Sequence, residues 1–261
     1  MKRAIIFSLI IFLIAGCAAS FKEKRELSKP MVALAMGRVY QNDIQGALLE
    51  LRRAKRSNPD DPEIYYGLAL VYWKSDKHDK ALENIERSIA LGDKLGLEHP
   101  AMKSEAYNLK GTILSSMGSY EKAIEAFETS LKDELYTTPE YPHYNIASLH
   151  MLSKQYGKAQ ESANRSLEYN PHYAPSWELL GRLYVDQGRD LQAIEAFKQA
   201  VLEFPGYMEA HWELAQVYIR QNNKDKGIAH LREVIRLDPN GLLGAMAQQS
   251  LQSLMGASKK K

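Results

Sequence analysis

The stretch Trp177–Pro205, WELLGRLYVDQGRDLQAIEAFKQAVLEFP, decides how this chain folds. Trp177, Leu180, Gly181 and Tyr184 fall at i, i+3, i+4 and i+7, the spacing that lines up residues on one face of a helix. Ala193, Phe197 and Ala200 mark an apolar face on a second helix. Gly188 lies between the two and supplies the permissive backbone of a tight turn. Asp190 is placed to cap the second helix. Pro205 ends it, because proline cannot continue a helix interior. Gly181 and Ala193 are small, so the two helices can approach closely. The stretch reads as a helix hairpin closed on its own apolar face.

The hairpin recurs. Pro171, Pro205 and Pro239 are spaced by 34 residues, and so are Ala159, Ala193 and Gly227. A helix–turn–helix of this period and these residue types resembles the tetratricopeptide repeat. His211–Pro239 puts Leu214, Ala215, Tyr218, Leu231 and Val234 in the core positions, and His143–Pro171 puts Ile146, Ala147, Tyr156, Ala159 and Ala163 there. Earlier copies carry Tyr107, Gly111, Leu114, Gly118, Tyr120, Ala123 and Phe127, and Tyr65, Leu68, Ala69, Tyr72, Ala81 and Ile85. Met31–Pro59 keeps Leu34, Ala35, Ala47, Leu51, Ala54 and Pro59 without the aromatic and glycine signature, as suits a terminal cap. Leu242–Met255 reads as one more helix over the last repeat. The expected fold is all-α: a right-handed superhelical solenoid of about six hairpins plus a C-terminal capping helix, over residues 30–256, with a basic tail at 257–261. Two intervals depart from the period, 42 residues from Ala81 to Ala123 and 36 from Ala123 to Ala159. The extra residues fall around 91–100 and 133–142, between hairpins, where lengthened helix ends or small loops cost little.

Composition excludes several functions. The chain is 45% hydrophobic and 25% charged, within the ordinary globular range. Its 34 basic and 32 acidic residues leave no electrostatic footprint for nucleic acid. One cysteine forms no internal disulfide and no cysteine-clustered metal site. His143 and His150 lie about 10 Å apart along one helix, too far to share a metal. No phosphate loop or convergent acid–base group stands out, so neither an enzyme, a cofactor nor a small-molecule substrate is expected.

That single cysteine, Cys17, closes the apolar run Ala4–Ala15, which follows Lys2 and Arg3. The run is too short to span a membrane and fits a signal peptide over residues 1–16. Ile14-Ala15-Gly16-Cys17 resembles the bacterial lipobox, which implies cleavage before Cys17 and lipidation of its thiol. Three acyl chains would hold the protein firmly at a membrane. Ala18, where aspartate retains many lipoproteins at the inner membrane, implies the outer membrane, with the protein facing the periplasm. Residues 17–29 read as the lipidated N-terminus and a polar tether reaching at most about 40 Å, whose alternating charges suit a solvated linker or a helix start rather than a binding site.

In tetratricopeptide folds the first helix of each hairpin lines a concave groove. By that spacing the groove would carry Tyr66, Leu70 and Trp73, then Asn108 and Thr112, then Tyr141, Tyr144 and Met151. Glu178, Arg182 and Val185 would follow, then Trp212, Gln216 and Ile219. Aromatics beyond what the core needs point to an apolar protein-binding surface. They are not the lysine and arginine clamp of repeat proteins that hold carboxylate tails.

The architecture, with the junction Leu135, Tyr136, Thr138, Pro139, Glu140 and Asn145 followed by Tyr156, Gly157 and Ala159, resembles the PilF/PilW/Tgl-type pilotins of type IV pili. That resemblance implies a non-enzymatic lipoprotein that binds the outer-membrane secretin and promotes its localisation and assembly. Ala147 departs from the pattern, standing where glycine is more typical. A general envelope scaffold that recruits other periplasmic proteins is the alternative.

Overall fold

Every hairpin closes through the same backbone turn. Asn42, Asp76, Gly118, Lys154, Gly188 and Asn222 all have φ between 55° and 75°. The next residue's N–H reaches back to the carbonyl five residues earlier at 2.8–2.9 Å, as from Lys77 to Tyr72, Gln155 to His150 and Arg189 to Tyr184. This left-handed cap satisfies carbonyls that a helix end would leave bare. Gly188 does what its position led us to expect, and four of the other turns adopt the same shape without glycine.

In the computed structural model, residues 23–95 and 100–258 are described. They fall into two compact units, one ending at Tyr136 and one beginning at Thr137. The first unit holds three hairpins: α1 (residues 23–40) with α2 (Ile44–Ser57), α3 (Pro62–Lys74) with α4 (His78–Leu95), and α5 (Pro100–Ser116) with α6 (Tyr120–Ser130). The second holds α7 (Glu140–Leu152) with α8 (Tyr156–Tyr169), α9 (Ala174–Asp186) with α10 (Asp190–Glu203), and α11 (Met208–Arg220) with α12 (Lys224–Leu237). α13 (Leu242–Ser258) packs on α12 as the expected cap. No strand occurs among the described residues. Within each unit the second helix of one hairpin packs on the first helix of the next, and successive first helices also touch: α3 with α5, α7 with α9, α9 with α11.

Small residues set the closeness of the hairpins. Ala47, Ala81, Ala123, Ala159 and Ala193 recur in the second helices and are fully buried. A methyl group added to Gly181 would sit 2.4 Å from the Phe197 ring, and one on Gly111 2.6 Å from the Phe127 ring. Both rings are buried to within 1%. The glycine is thus the socket and the phenylalanine the plug of the third and fifth hairpins.

Four expectations are corrected. Residues 23–29, assigned to the tether, are already helical. Ser28 is fully buried and its hydroxyl donates to the Asp61 carboxylate at 2.9 Å, which pins this helical start to the N-cap of α3. Leu34, placed in the core, is 50% exposed, because the buried stripe of α1 runs through Ser28, Val32, Ala35 and Val39. Tyr120 is partly exposed as well, at the first position of α6. Asp190 is the first residue of α10 and does not cap it; its carboxylate accepts from Arg220 Nε at 3.1 Å. The longer insertion is absorbed largely as helix: α4 has 18 residues and α5 has 17, against 14 in α2 and 13 in α3. Residues 1–16, Cys17 and Lys259–Lys261 lie outside the described residues.

Asp61→Ala tests the junction of α1 with α3. The carboxylate also accepts from the Glu63 N–H at 3.1 Å, so its loss removes a cap together with the Ser28 bond that ties α1 to α3, leaving the hydroxyl only the Arg25 carbonyl of its own helix at 3.1 Å. Stability should fall by about 1–3 kcal/mol, read as a lower urea midpoint. An unchanged midpoint would show that α1 is not held there.

Candidate functional site

The first-helix face of the first unit is largely spoken for. Tyr66, Leu70 and Trp73 of α3 pack against Ala106, Leu109 and Ile113 of α5. Burial pushes the Tyr66 hydroxyl up to about 12. Trp73 Nε1 donates to Ser116 Oγ at 3.0 Å, and Thr112 Oγ1 donates to the Asn108 carbonyl at 3.0 Å. Adjacent first helices lie side by side, so residues off the hairpin's own stripe meet the neighbouring helix before they meet solvent. Within this set the Asn108 side-chain oxygen is buried without a hydrogen-bond partner.

The second unit brings together a different group. Tyr141, 42% exposed, meets Tyr173 edge to face at 5.3 Å between ring centres, and Tyr144 meets the same ring edge to face at 5.5 Å. Tyr207 lies within electrostatic reach of Tyr144, Tyr173, Glu178 and Glu209. Burial, the leading cause in each case, raises the hydroxyl pKa of Tyr144, Tyr173 and Tyr207, so all three remain proton donors at neutral pH. Tyr173 and Tyr207 sit at the caps that open α9 and α11. Sequence reasoning passed over both. The available signal was an aromatic two residues after Pro171 and again after Pro205, one repeat apart.

Charge is added to this aromatic face. Glu178 is 5% exposed, and burial pushes its carboxyl up to about 7; Arg182, at 3.7 Å, opposes that shift. Glu213 is raised too, first by burial, with Arg182 and Arg220 pulling the other way. Met151 packs with Tyr144 on Leu179 and Leu180, and Val185 on the cluster of Phe197 and Leu214. Trp212 and Ile219 pack against Ala215, Leu231 and Ala247, in contact with α13. The Gln216 amide nitrogen is buried without a partner. Of the expected groove residues, the second unit thus gathers Tyr141, Tyr144, Glu178 and Arg182 with Tyr173 and Tyr207, and spends Trp212 and Ile219 on packing.

Glu178 makes stability depend on pH. Its folded pKa is raised, so the folded chain holds its proton more tightly than the unfolded chain. The stability linked to that proton is complete below about 4.5 and is lost as pH rises through about 7. Glu178→Gln removes the penalty of the buried charge. The variant should melt above the wild type at pH 8, by roughly 2–4 °C for each kcal/mol released, with the gap closing by pH 5. A gap independent of pH would refute the assignment.

Among the described residues no group of three or more His, Cys, Asp or Glu could hold a metal ion, and no helix is long and apolar enough to cross a membrane. Helix hairpins at this period, with a glycine or alanine facing the partner helix, can be compared with known families. Models of the tetratricopeptide repeat match residues 38–76, 60–132, 144–197 and 178–241. The chain belongs to the tetratricopeptide-repeat family. Its relatives include the Hsp70-Hsp90 organizing protein of Triticum aestivum, 22% identical over 219 residues, which cover 82% of this chain and 36% of that protein. The chain therefore spans about a third of the length of that curated relative.

Two solved structures match this tetratricopeptide-repeat protein more evenly. PilF of Pseudomonas aeruginosa superposes with a TM-score of 0.73 at 17% identity, over 87% of this chain and 99% of PilF. PilW, described as a widely conserved type IV pilus biogenesis factor, gives 0.72 at 19% identity, over 88% of this chain and 98% of PilW. At these identities the likeness is one of fold.

Proposed function

We propose that this tetratricopeptide-repeat protein is a pilotin-like lipoprotein of the outer membrane, which binds the type IV pilus secretin and promotes its assembly into a ring. The observation that supports the reading is a match that is extensive in both directions: PilF and PilW are covered almost from end to end and take in 87% and 88% of this chain, whereas only a third of the Hsp70-Hsp90 organizing protein is covered.

A physical mechanism accompanies the proposal. A secretin protomer must carry segments that later contact lipid and that would aggregate while exposed in the periplasm. A repeat face lined with tyrosines can cover such a segment. Lipid on Cys17 keeps the complex at its target membrane and raises the local concentration of protomers there without any new contact.

Two measurements test it. Labelled palmitate should enter the protein and fail to enter Cys17→Ser; equal labelling of both would remove the lipid anchor from the proposal. In a strain lacking the gene, heat-stable secretin multimers should vanish while monomer persists or is degraded. Normal multimers in that strain would favour the scaffold reading, which the partial match to a eukaryotic organizing protein also suits.

A further inference from the structure

We infer that the tyrosine face of the second unit seats a lysine or arginine side chain projecting from an extended partner segment. The inference rests on reading this face as a peptide-binding surface, and it adds the chemistry of what binds there.

Charge complementarity is the first ground. The first helices α7, α9 and α11 carry five carboxylates, Glu140, Glu178, Asp186, Glu209 and Glu213, against two cations, Arg182 and Arg220. Arg220 is already engaged by Asp190 of α10. Arg182 stands 3.7 Å from Glu178, an ion pair too long to be a hydrogen bond. Glu178, 5% exposed, is thus a buried carboxyl with a loosely held cation. Burying a charge is costly unless it is closely paired. The neighbouring Glu209 and Glu213 add repulsion. A cation delivered by a partner relieves both effects, whereas an acidic segment or a chain-terminal carboxylate would aggravate them.

The aromatic rings are the second ground. Tyr141 and Tyr144 flank Tyr173 edge to face, and Tyr207 lies within electrostatic reach of Tyr144, Tyr173 and Glu178. A cation near ring faces is attracted by their negative quadrupole, and the alkyl stem of lysine or arginine packs on ring surface while its head stays polar. The tyrosine hydroxyls remain donors, suited to backbone carbonyls of the segment. Tyr173 and Tyr207 recur once per hairpin, and neighbouring packed helices lie roughly 10 Å apart. About three residues of extended chain cover that distance.

Random peptides displayed on phage, panned against the immobilised full chain at pH 7.5 and low salt, test the inference. Recovered peptides should be enriched in lysine or arginine at one fixed position beside apolar residues. Fluorescence polarisation should show binding about tenfold weaker to the Glu178→Gln/Glu213→Gln variant, and weaker in high salt. Replacing the peptide's basic residue by norleucine should cause a similar loss, which carries the same test without altering the protein. Neutral or acidic peptides that still lose affinity for Tyr144→Ala would leave the peptide-binding face standing and overturn the basic side chain. Recovered peptides indifferent to Tyr144→Ala, or no recovery at all, would overturn the peptide-binding reading itself.

Discussion

Phe197→Ala is expected to destabilise the protein by about 3–5 kcal/mol. The ring is fully buried in α10 and fills the space that Gly181 leaves open on α9. Removing it deletes apolar burial and leaves a cavity between two helices that cannot collapse freely, because each is also packed on a neighbouring hairpin. The converse change, Gly181→Ala, should also be harmful. Its methyl group would lie 2.4 Å from the ring, and a ring enclosed on all sides has nowhere to turn. The two sites should be strongly coupled. With Phe197→Leu in place, Gly181→Ala should do much less damage than alone, a non-additivity readable from urea midpoints. Simple additivity would mean that glycine and ring do not meet.

The second large effect is functional. On the pilotin function proposed above, Tyr141→Ala combined with Tyr144→Ala should leave helical circular dichroism near that of the wild type and abolish heat-stable secretin multimers. Tyr141 is the most exposed of the groove tyrosines and Tyr144 is half-buried at the surface of its cluster. Tyr66 and Trp73 are poorer choices because they also hold α3 against α5, so truncating them confounds folding with binding. Interface aromatics commonly contribute about 2 kcal/mol each, so losing two weakens binding on the order of a thousandfold. If the gene deletion removes multimers and the double variant does not, the binding face lies elsewhere on the molecule.

How much of this was written in the sequence depends on how local the determinant is. The hairpin, its glycine socket and the Gly188 turn depend on contacts inside one repeat, and the spacing of Gly181, Gly188, Ala193 and Phe197 revealed them. The capping helix α13 followed from the same logic. Groove residues were less legible, because whether Trp73 or Trp212 meets solvent depends on the next helix in line, and a one-repeat pattern does not contain that helix. Leu34 failed for the same reason: the spacing places it on a helix but does not say which side is covered. The start of α1 was hidden by composition. Charges around Ser28 suit a solvated linker and a helix start alike, and nothing in them shows that Ser28 is buried against a carboxylate thirty-three residues away. Tyr173 and Tyr207 were not legible because they occupy the caps that open α9 and α11, outside the helical spacing that marks a groove position.

The neighbour-to-neighbour packing within each unit bears on how the chain acquires its structure. A polypeptide that emerges N-terminus first, from a ribosome or a membrane channel, completes one hairpin before the next has appeared. Each new hairpin then finds its docking surface already in place. No partner has to be awaited from the far end of the chain, so little apolar surface stays uncovered while synthesis or transport continues. A protein proposed to shelter another chain during assembly has, by its own topology, little need of such shelter.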